Sequence, residues 1–321
     1  MRLFPEVAEA DSFDLALKRG RLNVVLGRNQ SGKTNLCRLI AGLYASAQGQ
    51  VLLDGQDVSA FSTRARSVAM VFQAFVNYPN LTVADNIASP MRGRNKADAR
   101  SKVAEIAEML GLADFLDRLP HELSGGQQQR VAIARALAKE ASVLLLDEPL
   151  VNLDFKLREA LEVELKGLLA KTGTTVVYTS SDPRDAFAMA DHLILLDAGA
   201  LLQTGAPMDI YQRPNSLAVA RLLSDPQVNF LPDEPEALVR PEHVALGPGE
   251  RTYLLRVAGL ETNGTFTYLH GAARLASNAS TGAQDESWTI RLEGISANLA
   301  DEVEVHVSAR DIVRFPAVSN G

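Results

Sequence analysis

The chain has 321 residues, enough for two domains of about 200 and about 100 residues. Apolar residues make up 46% and charged residues 22%, a globular balance that excludes a disordered or fibrous class. The net charge of −7 gives no electrostatic footprint for a nucleic acid, which argues against DNA or RNA as a partner. A single cysteine, Cys37, permits no internal disulfide. No apolar run reaches the ~18 residues of a spanning helix, and Met1–Glu6 has no signal-peptide hydrophobic region. Work at a membrane would then require docking onto other proteins.

Phe13, Leu15 and Leu17 alternate with polar neighbours as in an early strand, and Leu22–Leu26 is a second, apolar strand. It runs into Gly27-Arg28-Asn29-Gln30-Ser31-Gly32-Lys33-Thr34 and a helix-like segment from Asn35 to Gly42. Strand, glycine-bounded loop and helix, with G-x-x-x-x-G-K-T spacing, describe a phosphate-binding loop. Its backbone N–H groups would wrap a polyphosphate, and the helix N-terminus behind them adds partial positive charge. Lys33 would hold the terminal phosphates, while the Thr34 hydroxyl would ligate the Mg²⁺ that bridges them. An ordinary glycine turn is the alternative for the same residues.

Val51–Gly55 reads as a strand closing in a turn, and Ser67–Phe72 as a short strand ending at Gln73. A loop with proline and aromatics follows. Ala97–Leu110 has helical periodicity, with Val103, Ile106, Ala107 and Leu110 on one face, so residues of about 74–122 form a helical insertion in an α/β framework. Leu123-Ser124-Gly125-Gly126-Gln127 then opens a helix. Its free N–H groups and serine hydroxyl suit an anion, and a plain serine N-cap is the alternative. Val143–Glu148 is an apolar strand, as in a buried parallel sheet, that ends in two acids. Asp147 is placed to hold Mg²⁺ and Glu148 to polarise the water that attacks the γ-phosphate, with a solvated turn as the alternative.

The loop Gly27–Thr34, Gln73 after a strand, Leu123–Gln127, Val143–Glu148 and Asn152-Leu153-Asp154 together resemble an ABC transporter ATPase in order and approximate spacing. The resemblance covers roughly Leu22 to Arg213. It implies a P-loop ABC ATPase domain over residues 1–222, an α/β RecA-like core with a helical insertion. Pro226–Asn229 and Val239–Val244 resemble the junction and core of the small all-β OB-like (TOBE) domain of carbohydrate-importer (MalK/UgpC-like) ATPases, here over 223–321. Short β-like alternation at Arg251–Ala258, Thr265–Leu269, Ser287–Leu292 and Glu302–Val307 suits a small barrel, read as a dimer spacer before a regulator.

The resemblance further implies ATP and Mg²⁺ as cofactors, with Gln73 sensing the γ-phosphate and the metal. Two such subunits close head to tail, so Ser124, Gly125, Gly126 and Gln127 of one cover ATP on the loop of the other. The implied partners are two membrane permease subunits, a second ATPase subunit and, through the permeases, an extracytoplasmic solute-binding protein. The implied location is the cytoplasmic face of the bacterial inner membrane. The loop after Gln73 and the helical insertion would form the groove for a cytoplasmic helix of the permease.

Several positions depart from the family pattern. Ser181 replaces the histidine that touches the γ-phosphate, and a lost hydrogen bond to a charged group costs about 1.5–3 kcal/mol. Hydrolysis at this site is therefore expected to be roughly one to two orders of magnitude slower. Gln30 stands where the family has glycine, Val151 where it often has serine, and Gln128 where it has arginine after the signature. Phe4 is the aromatic residue left to stack on adenine. With residues 75–92, this pattern resembles the first of the two unlike ATPases of bacterial glycerol importers. An importer ATPase, a non-hydrolysing nucleotide clamp and a soluble ABC protein acting on DNA or ribosomes remain as readings; the single cassette and acidic balance disfavour the last.

Overall fold

The computed structural model describes residues 13–44, 49–74, 76–151, 155–276, 285–294 and 299–315. The chain divides into two compact units, Met1–Gln212 and Arg213–Gly321.

In the first unit, β1 (Leu22–Leu26) is followed by α1 (Lys33–Ala41), β2 (Leu52–Leu53), β3 (Gln56–Asp57) and β4 (Val68–Val71). Helices α2 (Val83–Ala88), α3 (Lys96–Met109) and α4 (Gly125–Ala138) lie between β4 and β5 (Val143–Asp147). Then come α5 (Phe155–Thr172), β6 (Thr175–Ser180), α6 (Pro183–Met189), β7 (His192–Asp197), β8 (Ala200–Gly205) and α7 (Pro207–Gln212). Six strands form one sheet in the order β4-β5-β6-β1-β7-β8. All neighbours are parallel except β7 and β8, which form a hairpin turning at Ala198-Gly199, both at positive φ.

The apolar runs of β1, β5 and β7 reflect burial on both faces, as in parallel sheets covered by helices. One face presents Val25, Val143, Leu145, Val177, Ile194 and Leu196 to Leu36, Cys37, Ile40 and Ala41 of α1. The other carries Val24, Leu26, Leu144, Leu146 and Tyr178, all buried, with α5 and α6 against β1. Each buried Leu, Ile or Val contributes roughly 1.5–3 kcal/mol, so α1, with the glycine-bounded loop at its head, is anchored by its own apolar face. Buried Arg66 closes the far end of α1, donating to the carbonyls of Leu39 at 2.7 Å and Ile40 at 2.9 Å.

The alternation at residues 13–17 does not make a strand. Phe13, Leu15 and Leu17 do turn inward onto the α1 layer, but the segment has no ladder partner among the described residues. Its end is held by Asn23, whose side chain accepts from Lys18 N at 2.7 Å and donates to Lys18 O at 3.0 Å. Val51–Gly55 is the first half of a two-strand hairpin, with Asp54 and Gly55 at φ 50° and 81°. That is the Asp-Gly signature of a tight hairpin turn. Helix α3 buries Val103, Ile106 and Ala107 as its periodicity predicts.

The second unit holds α8 (Leu217–Leu222) and strands β9 (Asn229–Leu231), β10 (Glu234–Val239), β11 (Val244–Leu246), β12 (Arg251–Thr262), β13 (Phe266–Leu275), β14 (Glu286–Glu293), β15 (Glu302–Val307) and β16 (Ile312–Arg314). They form sheets of order β16-β10-β9 and β11-β15-β12-β13-β14, all antiparallel, the half-barrel expected of an OB-like domain. Trp288, Tyr253, Leu269, Ile290 and Val305 fill its core. Trp288 donates from Nε1 to Phe230 O at 2.6 Å, satisfying the indole that the core buries. The unit begins before residue 223, because Leu217 and Ala220 of α8 pack on Val228 and Leu238.

Candidate nucleotide site

Parallel register brings the C-terminal ends of β1, β5 and β6 to one sheet edge, with Leu26 opposite Ser180 and Asp147 opposite Thr179. Ligands of open α/β sheets bind at that edge. The loop after β1 is fixed by Gly27 N donating to Ser180 O at 3.2 Å and by Ser31 N donating to Arg28 O at 3.1 Å. Gly32, at φ 103°, caps α1. Gly27 cannot carry a side chain, since a Cβ would lie 2.3 Å from Ser31 Oγ and 2.4 Å from Leu196 O.

Lys33 is 4% exposed and curls back under the loop. Its Nζ donates to Gly27 O at 2.8 Å and Arg28 O at 2.9 Å, and lies 3.2 Å from Glu148 Oε1. Thr34 Oγ1 donates to Asp147 Oδ1 at 3.0 Å, and Thr179 Oγ1 approaches the same oxygen at 3.0 Å. Glu148 N donates to Thr179 Oγ1 at 2.9 Å. Thr179, to which the sequence reading gave no role, therefore orients both acids. Its signal was register: it ends a buried strand directly beside Asp147. Glu148 has φ 45°, a strained region for a residue with a Cβ, of the kind that clusters at functional sites. Burial and the Asp147 charge push the Cys37 thiol well above its usual pKa, leaving it inert beneath the loop.

Thr34 hydroxyl and Asp147 carboxylate are hard oxygen donors that suit Mg²⁺. Among the described residues no group of three His, Cys, Asp or Glu could hold an ion by itself. Such a pair would thus hold Mg²⁺ together with phosphate oxygens and water. Gln73 lies exposed just beyond β4, which two strands, β5 and β6, separate from β1. Ser181 is exposed just beyond β6 and lines, with Glu148, Val151 and Thr179, a small recess. Of the five histidines, His121 is exposed, His192 is buried in β7, and His243, His270 and His306 belong to the second unit.

Behind Ser181 lies a charge cluster that the sequence did not reveal. Arg158 pairs with Glu162 at 2.9 Å, Asp182 at 3.1 Å and buried Asp185 at 2.6 Å, and Tyr178 OH donates to Asp185 at 3.2 Å. Burial opposes the charge of Asp182, but bonds from Arg184 and the charges of Arg184 and Arg158 hold its carboxyl below the usual range. Burial, and after it the Asp185 and Glu162 charges, push the Tyr178 hydroxyl well above its own.

Ser124 forms the N-cap of α4 in a closed capping box: Ser124 N donates to Gln127 Oε1 at 2.9 Å, and Gln127 N to Ser124 Oγ at 3.4 Å. The serine hydroxyl is therefore turned onto its own helix, as the N-cap alternative has it. Gly125 is exposed, and a Cβ there would meet nothing within 4 Å. Nothing among the described residues requires glycine at that place. Asn152–Asp154 and Phe4 lie outside the described residues.

The family description "ABC transporter" matches residues 10–151. The sn-glycerol-3-phosphate import ATP-binding protein UgpC of Rhizobium meliloti is 36% identical, over 95% of this chain and 91% of that protein. The α-glucoside transport ATP-binding protein AglK of the same organism is 37% identical, over 90% and 75%. The trehalose/maltose import ATP-binding protein MalK of Thermococcus litoralis is 39% identical, over 72% and 64%. The dimeric ATP-binding cassette MJ0796, in a post-hydrolysis state bound to ADP and Pi, is similar in structure with TM-score 0.54 and 32% identity, over 60% of this chain and 88% of that one. A glycine-bounded loop beside two oriented acids, a helix α4 with an exposed start, and relatives along nearly the whole length make this chain a member of the ABC transporter family, an ABC-type ATPase of its ATP-binding import subunits.

Proposed function

We propose that this chain is the ATP-binding and hydrolysing subunit of an importer for a carbohydrate or polyol, with glycerol the polyol its loop pattern favours. The cargo class is supported by relatives named for glycerol-3-phosphate, α-glucoside and trehalose/maltose import. The observation that carries the nucleotide reading is Lys33 at 3.2 Å from Glu148, beside Thr34 bonded to Asp147 at 3.0 Å. Lys33 would turn from Glu148 to the β- and γ-phosphates, which frees the Glu148 carboxylate to take the proton of the attacking water. Thr34 and Asp147 would hold Mg²⁺, which supplies charge neutralisation on the phosphates, and Gln73 would report on the γ-phosphate. Lys33→Ala should abolish binding of Mg·ATP measured by calorimetry; undiminished binding would overturn this reading.

A groove of about 360 Å³ supports a permease as partner. It is lined by Met70, Phe72, Val76, Pro90, Arg135 and Lys139, among others. No helix among the described residues is long and apolar enough to cross a membrane. The chain would sit on the cytoplasmic face of the inner membrane, bound to two permeases that face an extracytoplasmic solute-binding protein. The free space at Gly125 supports use of α4 by a second ATPase subunit, whose nucleotide would approach the helix start. Ser181 favours a second reading, in which this chain mainly clamps nucleotide and completes the site of a non-identical partner.

A further inference from the structure

Gln30 sits third in the turn closed by Ser31 N donating to Arg28 O at 3.1 Å, and its φ is 67°. Asn29 keeps a negative φ, so this is the type II arrangement, whose third residue is ordinarily glycine or asparagine. A side chain there strains the backbone, and packing does not explain why one is present: Gln30 is exposed. Among the described residues its carboxamide has no hydrogen-bond partner. Strain of this kind persists where a site uses the side chain.

Lys33 shows which end of the nucleotide the turn faces. Its Nζ lies against the carbonyls of Gly27 and Arg28, at 2.8 and 2.9 Å, so the cation for the terminal phosphates rests on the arm that carries Gln30. Across the site, Ser181 offers a short hydroxyl that is exposed beyond β6. We propose that the Gln30 carboxamide is a γ-phosphate ligand, donating from Nε2 to a terminal oxygen and giving this loop a preference for the triphosphate over the diphosphate. This rests on the nucleotide-site reading above.

Two substitutions separate the side chain from the strain. Gln30→Gly removes the donor while relaxing the turn, and Gln30→Glu removes the donor while leaving backbone preference almost unchanged. Affinities for ADP and for a non-hydrolysable ATP analogue are measured by calorimetry on the full chain, with Mg²⁺ present. A hydrogen bond to a charged oxygen corresponds to about tenfold or more in affinity, so Gln30→Gly should weaken the analogue about tenfold and leave ADP unchanged. Gln30→Glu should weaken the analogue further, through repulsion of the γ-phosphate. If Gln30→Gly tightens both nucleotides equally, or alters neither, the side chain is no γ-phosphate ligand. Equal loss for both nucleotides with Gln30→Glu also overturns the proposal. Failure of the unaltered chain to bind either nucleotide would instead sink the nucleotide-site reading.

Discussion

Arg158 is shared by Glu162, Asp182 and Asp185, and Asp185 is almost wholly shielded from water. Removing one partner of a buried pair leaves an uncompensated charge, which costs about 3–5 kcal/mol. Arg158→Ala should therefore lower the unfolding free energy of the first unit by about that amount, read by urea denaturation, and Asp185→Asn added to it should recover part of the loss. None of this was legible in the sequence, because a charged residue on a helix looks alike whether it meets solvent or a carboxylate folded back from beyond the next strand. The strand and helix that flank Gly27–Gly32 were legible, since the spacing of that loop is dictated by backbone geometry over consecutive residues. What the motif could not show was the resting partner of Lys33, which comes from the end of a different strand.

Among elements, the loop between β4 and α2 depends on Asn86, which is wholly buried. It accepts from Tyr78 N at 2.8 Å and donates to Tyr78 O at 3.0 Å, Leu81 O at 2.9 Å and Thr82 O at 3.0 Å. Asn86→Ala would strand these backbone groups at about 1–3 kcal/mol and loosen the rim of the groove. The expected outcome is weaker co-purification with the permeases while nucleotide affinity of the isolated chain is retained, checked by pull-down and calorimetry side by side. Sequence patterning read α3 and β5 well, because period and apolar runs report the face that each element buries. It misread residues 13–17, since alternation fixes which side chains point inward but not whether a neighbouring strand offers hydrogen bonds. The insertion was legible as helical, whereas the single asparagine that shapes its entrance carries no periodic signal.

Across the whole molecule, two of the departures, Gln30 and Ser181, fall on one side of a proposed ATPase pair, while Gln128 adjoins the segment that would face the partner. Gln30 and Ser181 would serve this chain's own nucleotide, whereas Ser124, Gly125, Gly126 and Gln127 would serve the partner's. With a non-identical partner, Gly125→Asp should abolish nearly all ATP hydrolysis by the reconstituted importer, while Glu148→Gln in this chain costs far less. Equal losses in steady-state hydrolysis would mean two equivalent sites. Such an arrangement is invisible in one chain's fold; Gly125, where a Cβ would meet nothing within 4 Å, is one of the positions that leaves room for it.

The closed box at the start of α4 adds a consequence for the subunit before it is assembled. Ser124 and Gln127 already satisfy each other's backbone N–H groups, which leaves the amides of Gly125 and Gly126 as the donors still open to an anion. Two amides alone would hold a stray phosphate weakly, so this helix end would stay clear in a solitary subunit. In the proposed pair, occupancy would come only when a triphosphate arrives already fixed on a facing loop, and the modest appetite of two amides would shield the helix end from product and metabolite.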